Sequence, residues 1–105
     1  MKLNDILVSS GGYECTDVTF YKVMEVKNGY VNLRVLKNKT VEFTPSNGNM
    51  GSGKVIPTET FQHDKIVRRK IMNGEYDSYV VIVKNIYESA HIWDGTPQMF
   101  DFTNI

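Results

Sequence analysis

Val18-Thr-Phe-Tyr-Lys-Val-Met-Glu-Val26, then Lys27-Asn28-Gly29-Tyr30, then Val31-Asn-Leu-Arg-Val-Leu36 is the stretch on which the fold turns. Two β-branched and aromatic runs flank Asn28-Gly29. Both central residues of a type I′ turn need positive φ, so this is the strongest short-range hairpin signal a sequence offers. With Asn28 and Gly29 as the loop, Val26 opposes Val31, Met24 opposes Leu33 and Lys22 opposes Val35. Side chains alternate along a strand, so one face carries Val18, Phe20, Met24, Val26, Val31, Leu33 and Val35, the expected core. The other carries Tyr21, Val23, Glu25, Asn32, Arg34 and Leu36, a mixed outward face.

Working outward, Leu3, Ile6 and Leu7 are spaced for one short N-terminal helical turn, with Asn4 or Asp5 at its start. Ser9-Ser10-Gly11-Gly12 then interrupts the chain. A turn at Lys37-Asn38 leads to a third strand, Lys39 to Thr44, with Val41 and Phe43 inward. Residues 45–53, with three glycines, read as a loop. Lys54 to Ile56 reads as a brief strand ended by Pro57. Lys65 to Met72 and Tyr79 to Lys84 read as strands joined through Asn73-Gly74. After Asn85 the pattern fits a short helix or loop, and Trp93-Asp94-Gly95-Thr96-Pro97 a turn. These elements predict a mainly β chain: one domain, residues 1–105, as a small antiparallel SH3-like or OB-like barrel.

The chain has 105 residues, 41% hydrophobic and 23% charged, which suits one globular domain. Cys15 is the single cysteine, so neither an intrachain disulfide nor a Cys-rich zinc site is available. Ile6-Leu7-Val8 is too short an apolar run for a signal peptide or a membrane span, and the cytoplasm is the expected compartment. Twelve basic residues balance twelve acidic ones. That argues against a uniformly basic nucleic-acid binder and against an acidic DNA mimic. The balance hides an asymmetry: residues 1–70 hold 11 basic and 7 acidic residues, and residues 71–105 hold Lys84 against five acids. Either the halves neutralise each other or the first presents a basic face.

Chemistry-bearing motifs are sparse. Gly48-Asn-Met-Gly-Ser-Gly53-Lys54 resembles a phosphate-binding loop, but Val55 stands where the magnesium-holding hydroxyl belongs. Pro57 also forbids the helix such a loop must open. His63-Asp64 and His91-x-x-Asp94 lack metal-site spacing. Cys15 with a histidine would be a bare nucleophile and base, without an oxyanion hole or an orienting third group. No catalytic, metal or cofactor site is therefore expected, and the chain reads as a non-enzyme. Trp93 reads either as a plug for one end of the barrel or as a partner-binding anchor.

Two binding surfaces follow. Tyr21, Val23, Arg34 and Leu36 make a mixed face suited to a protein partner. Lys65-Ile66-Val67-Arg68-Arg69-Lys70 is the densest basic segment, and alternation sends Arg68 and Lys70 one way and Lys65 and Arg69 the other. Arg34, Arg68 and Lys70 with Tyr79 then make a stacking-plus-phosphate surface for single-stranded nucleic acid. The plainer reading of the segment is an edge strand kept soluble by its charges.

Gly12-Tyr13-x-x-Thr16-x-Val18-x-Phe20-Tyr21-x-Val23, Val55-x-Pro57, Arg68-Arg69 and Trp93-Asp94-Gly95-x-Pro97 together resemble a family of small, mostly uncharacterised proteins of bacteriophages, prophages and other mobile elements. Cys15 stands where that pattern is expected to have Gln or a similar polar residue. The resemblance implies a bacterial cytoplasmic setting and a phage accessory protein. Such a protein is expected to engage a host or phage protein, for instance as an inhibitor of a defence system such as a CRISPR nuclease. The alternative is the single-strand binder.

Overall fold

The computed structural model describes residues 1–11, 17–45, 50–75, 77–83 and 88–103. The Gly12-Tyr13 and Cys15-Thr16 portions of the motif, and Gly48-Asn49 of the phosphate-loop-like segment, lie outside them. Nine strands are described: β1 (Ile6–Gly11), β2 (Asp17–Lys27), β3 (Tyr30–Pro45), β4 (Met50–Phe61), β5 (Val67–Lys70), β6 (Met72–Asn73), β7 (Ser78–Val83), β8 (Glu88–Ile92) and β9 (Gln98–Thr103). They form one antiparallel sheet in the order β6-β7-β8-β1-β2-β3-β4-β9, with β5 paired to β3 off that path. The mainly β, antiparallel reading holds.

The hairpin forms where expected. Asn28 and Gly29 take φ of 54° and 79°, and Val26 opposes Val31. Beyond that pair the register departs from strict alternation. A β-bulge falls between Val23 and Glu25, so Val23 opposes Leu33, Lys22 opposes Arg34 and Tyr21 opposes Val35. One extra residue, Met24, turns every side chain before it to the other face. Tyr21 and Val23 therefore point into a core and not outward, with 6% and 0% exposure.

Other expectations are corrected by long-range pairing. The N-terminal segment is no helical turn. Asn4 has φ 72°, the Asp5 carboxylate accepts the Lys2 N–H at 2.9 Å, and the chain enters β1. β1 pairs with β2 on one edge and β8 on the other, and two ladders outweigh a lone turn of helix. β3 runs through Lys37-Asn38 without turning, and bulges against β4 absorb the irregularity. β4 passes through Pro57 at one of these bulges, a place where its missing N–H is tolerated. Gly51 to Gly53 belong to β4 and not to a loop; a Cβ at Gly53 would collide with the Glu42 carbonyl and the Phe100 ring. Val41 and Phe43 are exposed, because that half of β3 projects beyond the core with β4 and β9. The expected 65–72 strand breaks at Ile71, giving β5 to β3 and β6 to β7. After the undescribed 84–87, the chain forms strands β8 and β9.

The sheet curls but is not closed into a barrel. Among the described residues no ladder joins β5 to β7. Arg69 spans that gap, donating from Nε and Nη2 to the Ile82 carbonyl at 3.3 and 3.1 Å. Two cores result, on opposite faces of β1 and β2. Leu7, Tyr21, Val23, Val31, Leu33, Val80 and Ala90 fill the first. Val18, Phe20, Leu36 and Val55 fill the second, with Phe61, Trp93 and Phe100 packed against them. Each fully buried Val, Leu or Phe contributes about 1.5–3 kcal/mol. No helix among the described residues is long and apolar enough to cross a membrane.

Candidate nucleic-acid interface

The same bulge that turns Tyr21 and Val23 inward builds a polar face on the other side of the sheet. On β2 it brings Lys22, Glu25 and Lys27 into line, where strict alternation would have placed Lys22 with Met24 and Val26. Cross-strand partners share a face, so Lys22 stands beside Arg34, Glu25 beside Asn32, and Lys27 beside Tyr30. β5 adds Arg68 beside Asn32 and Lys70 beside Tyr30. The result is a three-stranded platform of Lys22, Lys27, Arg34, Arg68 and Lys70, with one carboxylate, Glu25, inside it.

Two aromatic rings are set among these cations. The Arg68 guanidinium lies 4.7 Å from the centre of the Tyr30 ring, and Tyr30 remains 40% exposed. Phe61 lies under the Arg34 guanidinium at 3.8 Å and near the Lys22 ammonium at 6.0 Å. Such contacts contribute about 0.5–1 kcal/mol at exposed sites. A hollow of about 250 Å³ opens between Glu25, Lys27, Asn28, Tyr30, Asn32 and Arg68.

Arg34 has further work. Its Nη2 donates to the His63 carbonyl and to Asp64 Oδ1, each at 3.1 Å, fastening the segment between β4 and β5. Asp64 is fully exposed, so this ion pair adds little stability of its own. Lys22, Lys27, Arg68 and Lys70 form no ion pair among the described residues. They are the cations available to an anion.

Of the residues expected to meet a protein partner, Tyr21 and Val23 lie in the first core and Leu36, 3% exposed, in the second. Only Arg34 reaches a surface, so these four do not make a common outward face. Of the residues expected to meet nucleic acid, Arg34, Arg68 and Lys70 are brought together on one face. Tyr79 is not with them. It stands on β7 opposite Met72, stacked on His91 at 5.5 Å, beside a hollow lined by Glu75 and Asp77. Tyr30 takes the aromatic place instead. Its position beside Lys70 needed the β3–β5 register, which local sequence does not carry.

The two His-Asp pairs are engaged separately. His63 Nδ1 accepts the Lys65 N–H at 3.3 Å. Asp94 accepts the Thr96 hydroxyl at 2.6 Å and its N–H at 2.9 Å, which holds its carboxyl below the usual range. Trp93 packs edge-on against Phe20 at 5.7 Å and donates its indole N–H to the Thr96 carbonyl at 2.7 Å. Among the described residues the ion pairs are Arg34–Asp64 and Lys54–Glu42, and neither joins residues 1–70 to residues 71–105. Among the described residues the charge asymmetry is thus not cancelled by direct pairing. Compared with protein-family models, curated proteins and solved structures, the chain matches none of them.

Proposed function

We propose that this protein acts by binding single-stranded nucleic acid, without catalysis, on the platform formed by β2, β3 and β5. One observation carries the reading. Lys27, Arg68 and Lys70 flank the half-exposed Tyr30 ring, and Lys22 lies farther along the same face beside Arg34, with cross-strand neighbours fixed by the ladder. A single strand offers phosphates to the cations and unstacked bases to the ring, and both attractions are needed for sequence-tolerant binding. In a phage or mobile-element setting, which the motif resemblance implies, such a protein handles transiently exposed strands.

The test is fluorescence anisotropy with a labelled single-stranded oligonucleotide across a salt series. Four phosphate contacts predict a log–log slope of roughly −3, at about −0.7 per neutralised phosphate. The double substitution K27E/R68E should lower affinity more than about tenfold. K39E, on the exposed far half of β3, should change it little. No binding at low salt, or equal loss with K39E, overturns the reading. Nuclease-resistant capture of one bacterial protein, without strand binding, would favour the protein-binding alternative.

A further inference from the structure

The hollow on the platform has a feature that phosphate binding does not explain. Glu25 is exposed and lines the hollow with Lys27, its neighbour along β2, and Arg68, which lies beyond Asn32 on β5, yet it forms no hydrogen bond or ion pair among the described residues. A free carboxylate repels a phosphate backbone, so on a purely electrostatic platform it works against binding. Beside it are Asn32, directly across the ladder, and the Tyr30–Arg68 ledge. At about 250 Å³ the hollow falls below the roughly 300–1,000 Å³ of sites for drug-sized ligands, and suits one planar ring system.

We propose, on the strength of the single-strand reading above, that this hollow holds an unpaired guanine base and that Glu25 selects it. The chemistry is one of donors and acceptors. An ionised carboxylate only accepts, and its two oxygens are satisfied best by two N–H groups side by side. The Watson–Crick edge of guanine presents N1–H and the N2 amino group in that arrangement. Adenine and cytosine each set one amino donor beside a ring acceptor, whose lone pair faces the second carboxylate oxygen unfavourably. Uracil and thymine flank one N–H with two carbonyls. The remaining group on the guanine edge is the O6 acceptor, which the Asn32 amide or the Lys27 ammonium can serve as donor. The ring itself stacks on the Tyr30–Arg68 ledge, as unstacked bases do on aromatic and guanidinium planes.

The measurement uses the full chain and a labelled oligothymidylate, alone or with one central guanosine, inosine or adenosine, in deoxy and ribo forms. The guanosine strand should bind about tenfold or more tightly than the others, the ratio expected of a charged hydrogen-bond pair. Inosine lacks only the N2 amino group and should lose most of that gain. Glu25→Gln replaces an acceptor pair with one acceptor and one donor; it should level the four strands while binding oligothymidylate at least as well as wild type. If all four strands bind wild type equally, with steep salt dependence, the guanine assignment is wrong and the single-strand reading stands. If no strand binds, both fall. A preference for guanosine that survives Glu25→Gln removes Glu25 as the selecting residue.

Discussion

Tyr21 illustrates how much one residue's surroundings decide. Its ring lies in the first core, and burial pushes its hydroxyl above the ordinary tyrosine value, against the lowering pull of a hydrogen bond with Ser9. Glu88 adds to the rise by charge repulsion of the phenolate. A raised value means that the folded state favours the neutral phenol. The associated stability is complete below the unfolded tyrosine value near 10 and is lost as pH rises through the folded one. The stability difference between wild type and Tyr21→Phe should accordingly be constant from neutral pH to about pH 9 and then shrink. Urea unfolding at a series of alkaline pH values measures it. A difference that stays flat to pH 11 would mean that Tyr21 is not buried as described.

At the scale of the element, the bulge between Val23 and Glu25 is the decisive feature. It sets Tyr21 and Val23 on the core side and completes the Lys22–Glu25–Lys27 row on the other. An unbroken ladder would have put Met24 on the core side in place of Val23, while Val26 opposes Val31 in either register. Val23 has 0% exposure and Val26 40%, so Val23→Ala should destabilise by about 2 kcal/mol and Val26→Ala by less than about 1. Urea midpoints rank the two. The reverse ranking would restore the unbroken register and dissolve the binding platform with it.

The whole molecule is elongated, 48 × 29 × 26 Å, with a radius of gyration of 14.4 Å against about 13 Å for a compact chain of this length. The sixteen-residue β3 has a straight-strand length of about 50 Å at roughly 3.3 Å per residue, comparable with the long axis. One edge of β3 serves two neighbours in succession, β5 along Tyr30 to Leu33 and β4 from Leu36 to Pro45. That division keeps the sheet open between β5 and β7, and the Arg69–Ile82 contact is the clasp across the seam. Arg69→Met keeps the aliphatic stem and removes the donors. It should cost about 1.5–3 kcal/mol, the range for hydrogen bonds from a charged group, and speed amide exchange in β7 more than in β2. Uniform exchange would show that the seam is not the weak place of the fold.

Local sequence determined the strand-rich character, the Asn28-Gly29 turn with its Val26–Val31 pair, and the shared face of Arg68 and Lys70. Each of these depends on φ preference or on period-two alternation over a few residues. Tertiary structure alone decided the bulge at Met24, the burial of both faces of β1 and β2, and the pairing of β5 with β3. A bulge inserts one residue without any composition mark, and its position is set by which side chains two cores can accommodate. The platform follows the same division. Its cations were visible as residues, but Tyr30, Glu25 and Lys27 joined them only through the ladders that align three separate strands.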